Sequence, residues 1–580
     1  MRKIKLIVCS FIIGTSFVSC DDFLTLLPLN EVVLENYWTE KSDVESVLLG
    51  TYASLETQDC IFRMSMWGEM RSDNIMAGSD PAQNILNITK DNIIETNDYT
   101  SWACFYDVIN RANTVLAFAP AVQAKDPNYT IAELRANQAE AIALRSLSYW
   151  YLIRAYKDVP FVTKPSIDDT ENFVVPADSF DVILDQLIFD LDSVKDFAVN
   201  RYVKTLGYSA EEVTSSRITR VSIYAMLADM YLWRGDWEKS MECADFVIKR
   251  KIKEYNDIYS NSEPDKYKYL GGKECPIRLF NDVVPLISEV GSAETATGVT
   301  GGKSYNEIFG TGYSFESLLE LSFETNKTEN SFVSSNYYAS SNGNLQNIGN
   351  LAPTKELQNL PDDADKMILF RKSDVRFYEN IRESNDDYGI IKYAAGNISY
   401  TVSNTGDVNT SSVSARGRSN DQPTWVIYRL TDVVLMKAEA EVLLAEERPD
   451  IKDSLYADAF NLVQAVSIRS NYGLKTSYLK IADYRTFEAI DDLILKERRR
   501  ELLFEGKRWF DLVRRARRAG NTEEIRTLLQ SKHTGSNATF ATKIKDMNYI
   551  YFPINKDELK INPLLKQNPA FKMNEDIKKN

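Results

Sequence analysis

Apolar residues recur at three-to-four spacing over long stretches of the chain, the period of an amphipathic helix. From Glu40 to Leu55 the residues Val44, Val47, Leu48 and Tyr52 fall on one face. Trp102 to Phe118 repeats the pattern with Phe105, Ile109, Ala112 and Leu116. Leu134 to Tyr156 carries Ala136, Ala139, Ala143, Leu147 and Trp150 in a stripe, and its alanines permit close approach of a second helix. Asp158-Val159-Pro160 stops it, because proline cannot continue the hydrogen-bond ladder. Phe180 to Phe197 reads as a fourth helix.

The most regular segment follows. Ser222 to Trp233 leads into Arg234-Gly235-Asp236-Trp237, and Glu238 to Lys249 continues as helix, with Ala225, Ala228, Tyr231 and Ala244 as small and aromatic packing positions. This helix, turn and helix resembles a tetratricopeptide repeat. One such pair cannot bury its own apolar face, so further pairs must stack on it. A second pair is predicted at Tyr428–Glu446 and Leu455–Ser467, separated by Arg448-Pro449-Asp450, and a third helical stretch at Phe487–Arg518. Residues 255–425 differ: they are rich in Tyr, Asn, Ser and Gly, with sparse periodicity, and Leu318–Phe323 and Trp425–Tyr428 read as short strands. The expected fold is mainly α, with helix pairs supporting a loop-rich irregular region, where binding residues tend to gather.

Composition narrows the class. The 580 residues are 44% hydrophobic and 26% charged, which excludes a disordered chain and a multi-span membrane protein. With 68 Lys and Arg against 83 Asp and Glu, the net charge of −15 argues against a nucleic-acid partner. At the N-terminus, Arg2, Lys3 and Lys5 precede an apolar run from Leu6 to Val18, too short to span a bilayer but suited to a signal peptide. The run ends in Phe17-Val18-Ser19-Cys20, which resembles a bacterial lipobox with Phe17 where Leu is usual. Residues 1–19 are therefore expected to be cleaved, Cys20 to be lipidated, and 20–35 to act as a tether; an ordinary secretory signal is the alternative. Cys60, Cys104, Cys243 and Cys275 form no CxxC pair and leave open either disulfides or buried free thiols.

Several chemical motifs fail. Thr297–Ser304 reads TGVTGGKS, but the first glycine of a phosphate-binding loop is displaced by one place. Leu495–Arg518 holds ten Lys and Arg residues, yet Glu497, Glu501 and Glu505 recur among them every four residues, the pattern of a structural ion-pair network. No GxSxG or HExxH motif is present. The one histidine, His533, sits in a polar stretch and is expected to be solvated. No cofactor is expected; Asp386 and Asp387 are adjacent, but no calcium-loop spacing surrounds them, so a structural calcium ion is left open without support. Paired carboxylates of a glycosidase are set by fold geometry and are not legible in spacing.

Taken together, the residues resemble the SusD/RagB family of outer-membrane nutrient-binding lipoproteins. The resemblance runs through Cys20-Asp21-Asp22-Phe23-Leu24, WGEMRSDN at 67–74, Trp102–Asn113, and YKDVPFVT at 156–163, where Lys157 replaces the usual Gly. It continues through YRLTDVVLMKAEA at 428–440, with Lys437 in place of a common aromatic, ERRRELLFEGKRWFDLVR at 497–514, and YIYFPINKDELKINPLLKQNP at 549–569. It implies a SusD-like fold with an N-terminal helical part at 36–254, a variable ligand-binding region at 255–425 and a C-terminal part at 426–580. It further implies a cell-surface lipoprotein, not an enzyme, that captures oligosaccharides for a SusC-like TonB-dependent transporter. An oligopeptide ligand is the runner-up; a protein-binding repeat scaffold and a surface glycosidase are the readings from other classes. In such a family the ligand surface gathers loops near 75–100 and 310–345. The candidate residues are then Tyr99 with Asn84 and Asn97 as polar partners, and Tyr313, Tyr337 and Tyr338 as an aromatic platform.

Overall fold

The computed structural model describes residues 37–572, apart from 168–173, 206, most of 260–298, 324–328, 338, 342–343, 348, 359–368, 385–386, 404–405, 417–421, 472–477 and 534–536. Cys20, Tyr338, Cys275, Thr297 and Asp386 lie outside the described residues.

Helices dominate, and each predicted apolar stripe faces the core. Helix α1 (Lys41–Leu55) is followed by α2 (Gln58–Glu69), α3 (Ala103–Lys125), α4 (Ile131–Tyr156) and α5 (Phe180–Val194). Helix α4 starts at a capping box, in which Thr130 Oγ1 accepts from the Glu133 amide and Glu133 Oε2 accepts from the Thr130 amide. Helix α3 runs past Pro120, although the proline removes one internal hydrogen bond. Ala119 and Val122 on either side are fully buried, and that packing holds the last turn.

The tetratricopeptide-like pairs form as expected. Helix α6 (Arg220–Arg234) ends at Gly235, whose φ of 88° reverses the chain into α7 (Trp237–Tyr259). Helices α8 (Leu430–Glu447) and α9 (Lys452–Ser470) make the second pair, and α8 packs on α7. The predicted single helix Phe487–Arg518 is instead two, α10 (Phe487–Glu501) and α11 (Arg508–Ala519). Between them Phe504 and Gly506 adopt φ of 65° and 73°, which no helix tolerates. This corner meets α2 backbone to backbone: a Cβ at Gly68 would stand 1.8 Å from the Gly506 carbonyl oxygen.

The described parts of 255–425 carry short strands among irregular stretches. Strand β1 (Val299–Gly301) adds to β3 (Ala395–Val402), which forms a hairpin with β4 (Val408–Ala415), the register pairing Tyr400 with Gly301 and Ile398 with Val413. The two predicted short strands, β2 (Ser317–Leu321) and β5 (Trp425–Arg429), pair antiparallel, Trp425 opposite Leu321. Gly301 and Gly302 of the near-miss phosphate loop therefore end a strand, and Gly302 lies tight against the Ile398 carbonyl.

The arginine-rich segment is an internal ion network. Glu501 accepts from Arg429 at 2.8 Å, from Arg376 at 3.0 Å and from Arg469, all buried. Arg498 bridges Asp432 at 3.0 Å and Asp511 at 3.0 Å. His533 is not solvated but 3% exposed; it stacks on Phe540 and places Nε2 3.0 Å from Asp91 Oδ2. Its polar sequence neighbours conceal a partner supplied by a distant segment. Cys60 and Cys243 are buried free thiols, and Cys104 is half-buried. Burial pushes the Cys243 thiol up to about 12.

Candidate functional site

Three motif segments of the sequence meet in space. Arg71 donates to Asp91 at 2.7 Å and to the carbonyls of Ile550 at 2.9 Å and Tyr549 at 2.8 Å. Asp73 takes a two-armed bond from Arg508, at 2.8 and 2.9 Å, and the neighbouring Arg499 guanidinium lies 3.1 Å away. Burial opposes that charge, but the two guanidinium groups outweigh it and hold the Asp73 carboxyl far below the usual carboxylate range. Glu69 accepts backbone amides of the 504–508 corner. These motif residues are buried and bonded to one another, apart from Arg508 Nη1, which has no hydrogen-bond partner among the described residues, so they build a junction.

The junction positions a surface directly beyond it. Trp67 Nε1 donates to the Tyr99 carbonyl at 2.9 Å, fixing the 97–100 turn against α2. Asn97 caps that turn: its Oδ1 accepts from the Tyr99 amide at 3.1 Å and its Nδ2 donates to the Asn84 carbonyl at 2.9 Å. Asn84 in turn donates to Asp98 Oδ2 at 2.6 Å. The Tyr99 ring stacks on Phe62 of α2, centroids 6.0 Å apart and planes 7° from parallel. Phe62 meets Phe332 edge-on at 5.3 Å, and Phe332 meets Tyr337 at 5.2 Å and Trp425 at 5.7 Å. An aromatic ladder thus runs from the half-exposed Tyr99 into the core. Burial, reinforced by the Asp98 charge, raises the Tyr99 phenol above its ordinary range, so its hydroxyl stays protonated. That hydroxyl has no hydrogen-bond partner among the described residues.

Both ends of the ladder are thereby fixed, and only one faces solvent. A half-exposed ring pair beside an amide and a carboxylate can pack on the C–H face of a sugar ring and bond its hydroxyls. Among the described residues, no group of three or more His, Cys, Asp and Glu is arranged to hold a metal ion.

Comparison with known proteins places the chain. One family model, described as the SusD family, matches residues 315–571, and another, described as starch-binding associating with outer membrane, matches residues 22–232. The chain belongs to the SusD/RagB family. A SusD-like protein of Formosa agariphila is 25% identical over 89% of this chain and 92% of its own length. A SusD superfamily structure from Bacteroides thetaiotaomicron superposes with a TM-score of 0.59 at 20% identity, covering 92% of this chain and 99% of that one. A laminarin-binding SusD-like protein gives a TM-score of 0.59 at 20% identity over 92% and 99% of the two chains. These likenesses establish a mainly helical SusD-like fold.

Within this SusD/RagB fold the candidate residues divide. Asn84, Asn97 and Tyr99 come together, although Asn97 is fully buried and serves the turn. Tyr337 is corrected: it is 0% exposed, donates its hydroxyl to the Phe504 carbonyl at 2.9 Å, and forms the buried end of the ladder rather than a platform. Tyr313 stands apart, half-buried, with φ of 52°, its hydroxyl 2.6 Å from Ser322 Oγ and its amide donating to Glu320 at 3.0 Å. Burial pushes the Tyr313 phenol up to about 12. Sequence reasoning missed Phe62 and Asp98. Phe62 was legible as an aromatic one turn before the WGEM motif, and Asp98 as the residue preceding the candidate tyrosine.

Proposed function

We propose that this SusD/RagB protein is a cell-surface lipoprotein, anchored through Cys20, that captures an oligosaccharide at the Tyr99–Phe62 ring pair. The cargo then passes to a SusC-like TonB-dependent transporter in the outer membrane. The observation that carries the ligand class is the stacked, half-exposed ring pair flanked by Asn84 and Asp98. The laminarin-binding activity named for one structural relative supports a glycan. Among the described residues no helix is long and apolar enough to cross a membrane, which fits an anchored protein. Proteins of this family are binding proteins, generally without catalysis, and the site is read as binding without turnover.

The test is a glycan array probed with chain beginning after Cys20, alongside an oligopeptide pool. Saturable binding of one glycan class, unhydrolysed and weakened about 5- to 100-fold by Tyr99→Ala, is expected. Peptide binding with silent glycans would replace the reading with its oligopeptide alternative.

A further inference from the structure

A second cavity, separate from the ring pair, has a composition that the glycan reading does not use. It is a cleft of about 780 Å³ between the first half of α3, residues 160–166 and the C-terminal segment 558–565. Trp102, Tyr106 and Phe161 line it, and Ile561, 68% exposed, lies on its rim.

The walls are pinned. Tyr106 donates to the Pro160 carbonyl at 2.7 Å, and Asn113 donates to the Val162 carbonyl at 3.1 Å. Asn110 exchanges hydrogen bonds with Ser166, accepting its amide at 2.7 Å and donating to its carbonyl at 3.2 Å. The cleft is therefore preformed, and these amide side chains are spent on holding it open.

One charged group in the wall is left without a counter-charge. Glu558 is half-buried; Ser101 Oγ donates to its Oε1 at 3.4 Å, and the Trp102 side chain and backbone amide also donate to the carboxylate. No Lys or Arg side chain pairs with it among the described residues. Burial raises its pKa, with the neighbouring Asp557 adding to the effect. The other titratable groups on the cleft are the Tyr106 phenol, Asp107, already paired with Arg111 at 3.1 Å, and the exposed Lys164. A lone carboxylate beside Trp and Tyr rings favours a cation that brings apolar surface with it, because carboxylate and ring faces attract the same charge.

We propose that this cleft binds a primary ammonium group carried on an apolar stem, the chemistry shared by a lysine side chain and a peptide amino terminus. The proposal is independent of the glycan reading, since it concerns other residues and another ligand.

The test is calorimetric titration of the full chain with phenethylamine, and with 2-phenylethanol as the uncharged match. Saturable phenethylamine binding is expected, about ten-fold tighter than the alcohol and about ten-fold weaker in Glu558→Gln. Acetyl-lysine methylamide and leucine amide then tell the side-chain source from the terminal one. Equal binding of amine and alcohol, no saturation by about 10 mM amine, or unchanged amine affinity in a folded Glu558→Gln would each overturn the proposal. The amine–alcohol comparison uses the unmodified chain and decides the matter even if the variant does not fold.

Discussion

The Lys437 ammonium lies 2.6 Å from the Asp245 carboxylate, so a single buried cation fastens α8 to α7. The same nitrogen is 3.4 Å from Glu441, fully inside the interface. Burial, with Asp458 and Asp245 nearby, pushes Glu441 up to about 8 even though Lys437 pulls it down. Between the unfolded carboxyl value of about 4.5 and the folded value, the native state keeps a proton that the unfolded chain has lost. Stability through this group therefore falls as pH rises across that window. Glu441→Gln removes the dependence, so its unfolding free energy should gain on the parent chain from pH 5 to 8.5, by at most about 1.4 kcal/mol per pH unit. A constant difference across that range would show that Glu441 is ionised throughout.

Tyr337→Phe deletes one buried hydrogen bond, to the Phe504 carbonyl, and leaves the ring ladder standing. It should cost about 1–2 kcal/mol in chemical denaturation and leave glycan affinity unchanged. Tyr99→Ala should do the reverse, with a small stability change and a large affinity loss. If Tyr337→Phe weakens binding more than Tyr99→Ala, the roles of the two ends are misassigned.

Glu501→Gln leaves Arg376, Arg429 and Arg469 facing a neutral amide in a dry core. Breaking one member of a buried charge network costs about 3–5 kcal/mol. The folded Glu501 carboxyl is held well below its ordinary value by these three arginines, against the effect of burial. Its contribution is thus present above an unfolded value of about 4.5 and is lost as pH falls below it. The variant should show its largest deficit near neutral pH, and a shallower acid limb in a pH series of melting curves.

Lys157 closes α4 with φ of 71° and ψ of −71°, a conformation that L side chains rarely adopt. Among the described residues its ammonium reaches only Asn548, at 3.4 Å. Lys157→Gly should stabilise by about 0.5–1 kcal/mol, relief of the left-handed strain outweighing the added freedom of the unfolded chain. A lower melting temperature would mean that the Asn548 contact matters more than the strain.

The helices with a one-sided apolar stripe were legible in the sequence because periodicity alone places them. Helix α2 was not: Arg63, Ser65 and Glu69 are buried along with its apolar residues, so no stripe appears. The break between α10 and α11 was hidden because buried glutamates and arginines keep helical spacing right up to the corner. At the candidate site, Tyr99 and Tyr337 look alike in sequence, each one or two places after an asparagine. Only the arrival of Phe504 from a distant segment, closing on Phe332 of the preceding turn, buries one of them. Local pattern records which face a residue belongs to, but not which distant segment covers it.

The bond from Arg71 to Ile550 spans 479 positions of sequence. A guanidinium in the N-terminal half, already paired with Asp91, thus finds its carbonyl acceptors only when the chain is nearly complete. Contacts of such separation form late, after the entropy of closing a long loop has been overcome. Until then the leading segments have no finished core in which to lock, and the polypeptide stays loose until its last turns are made. A chain ending before residue 549 would leave Arg71 paired with Asp91 but without its carbonyl acceptors, and should be more open to proteolysis.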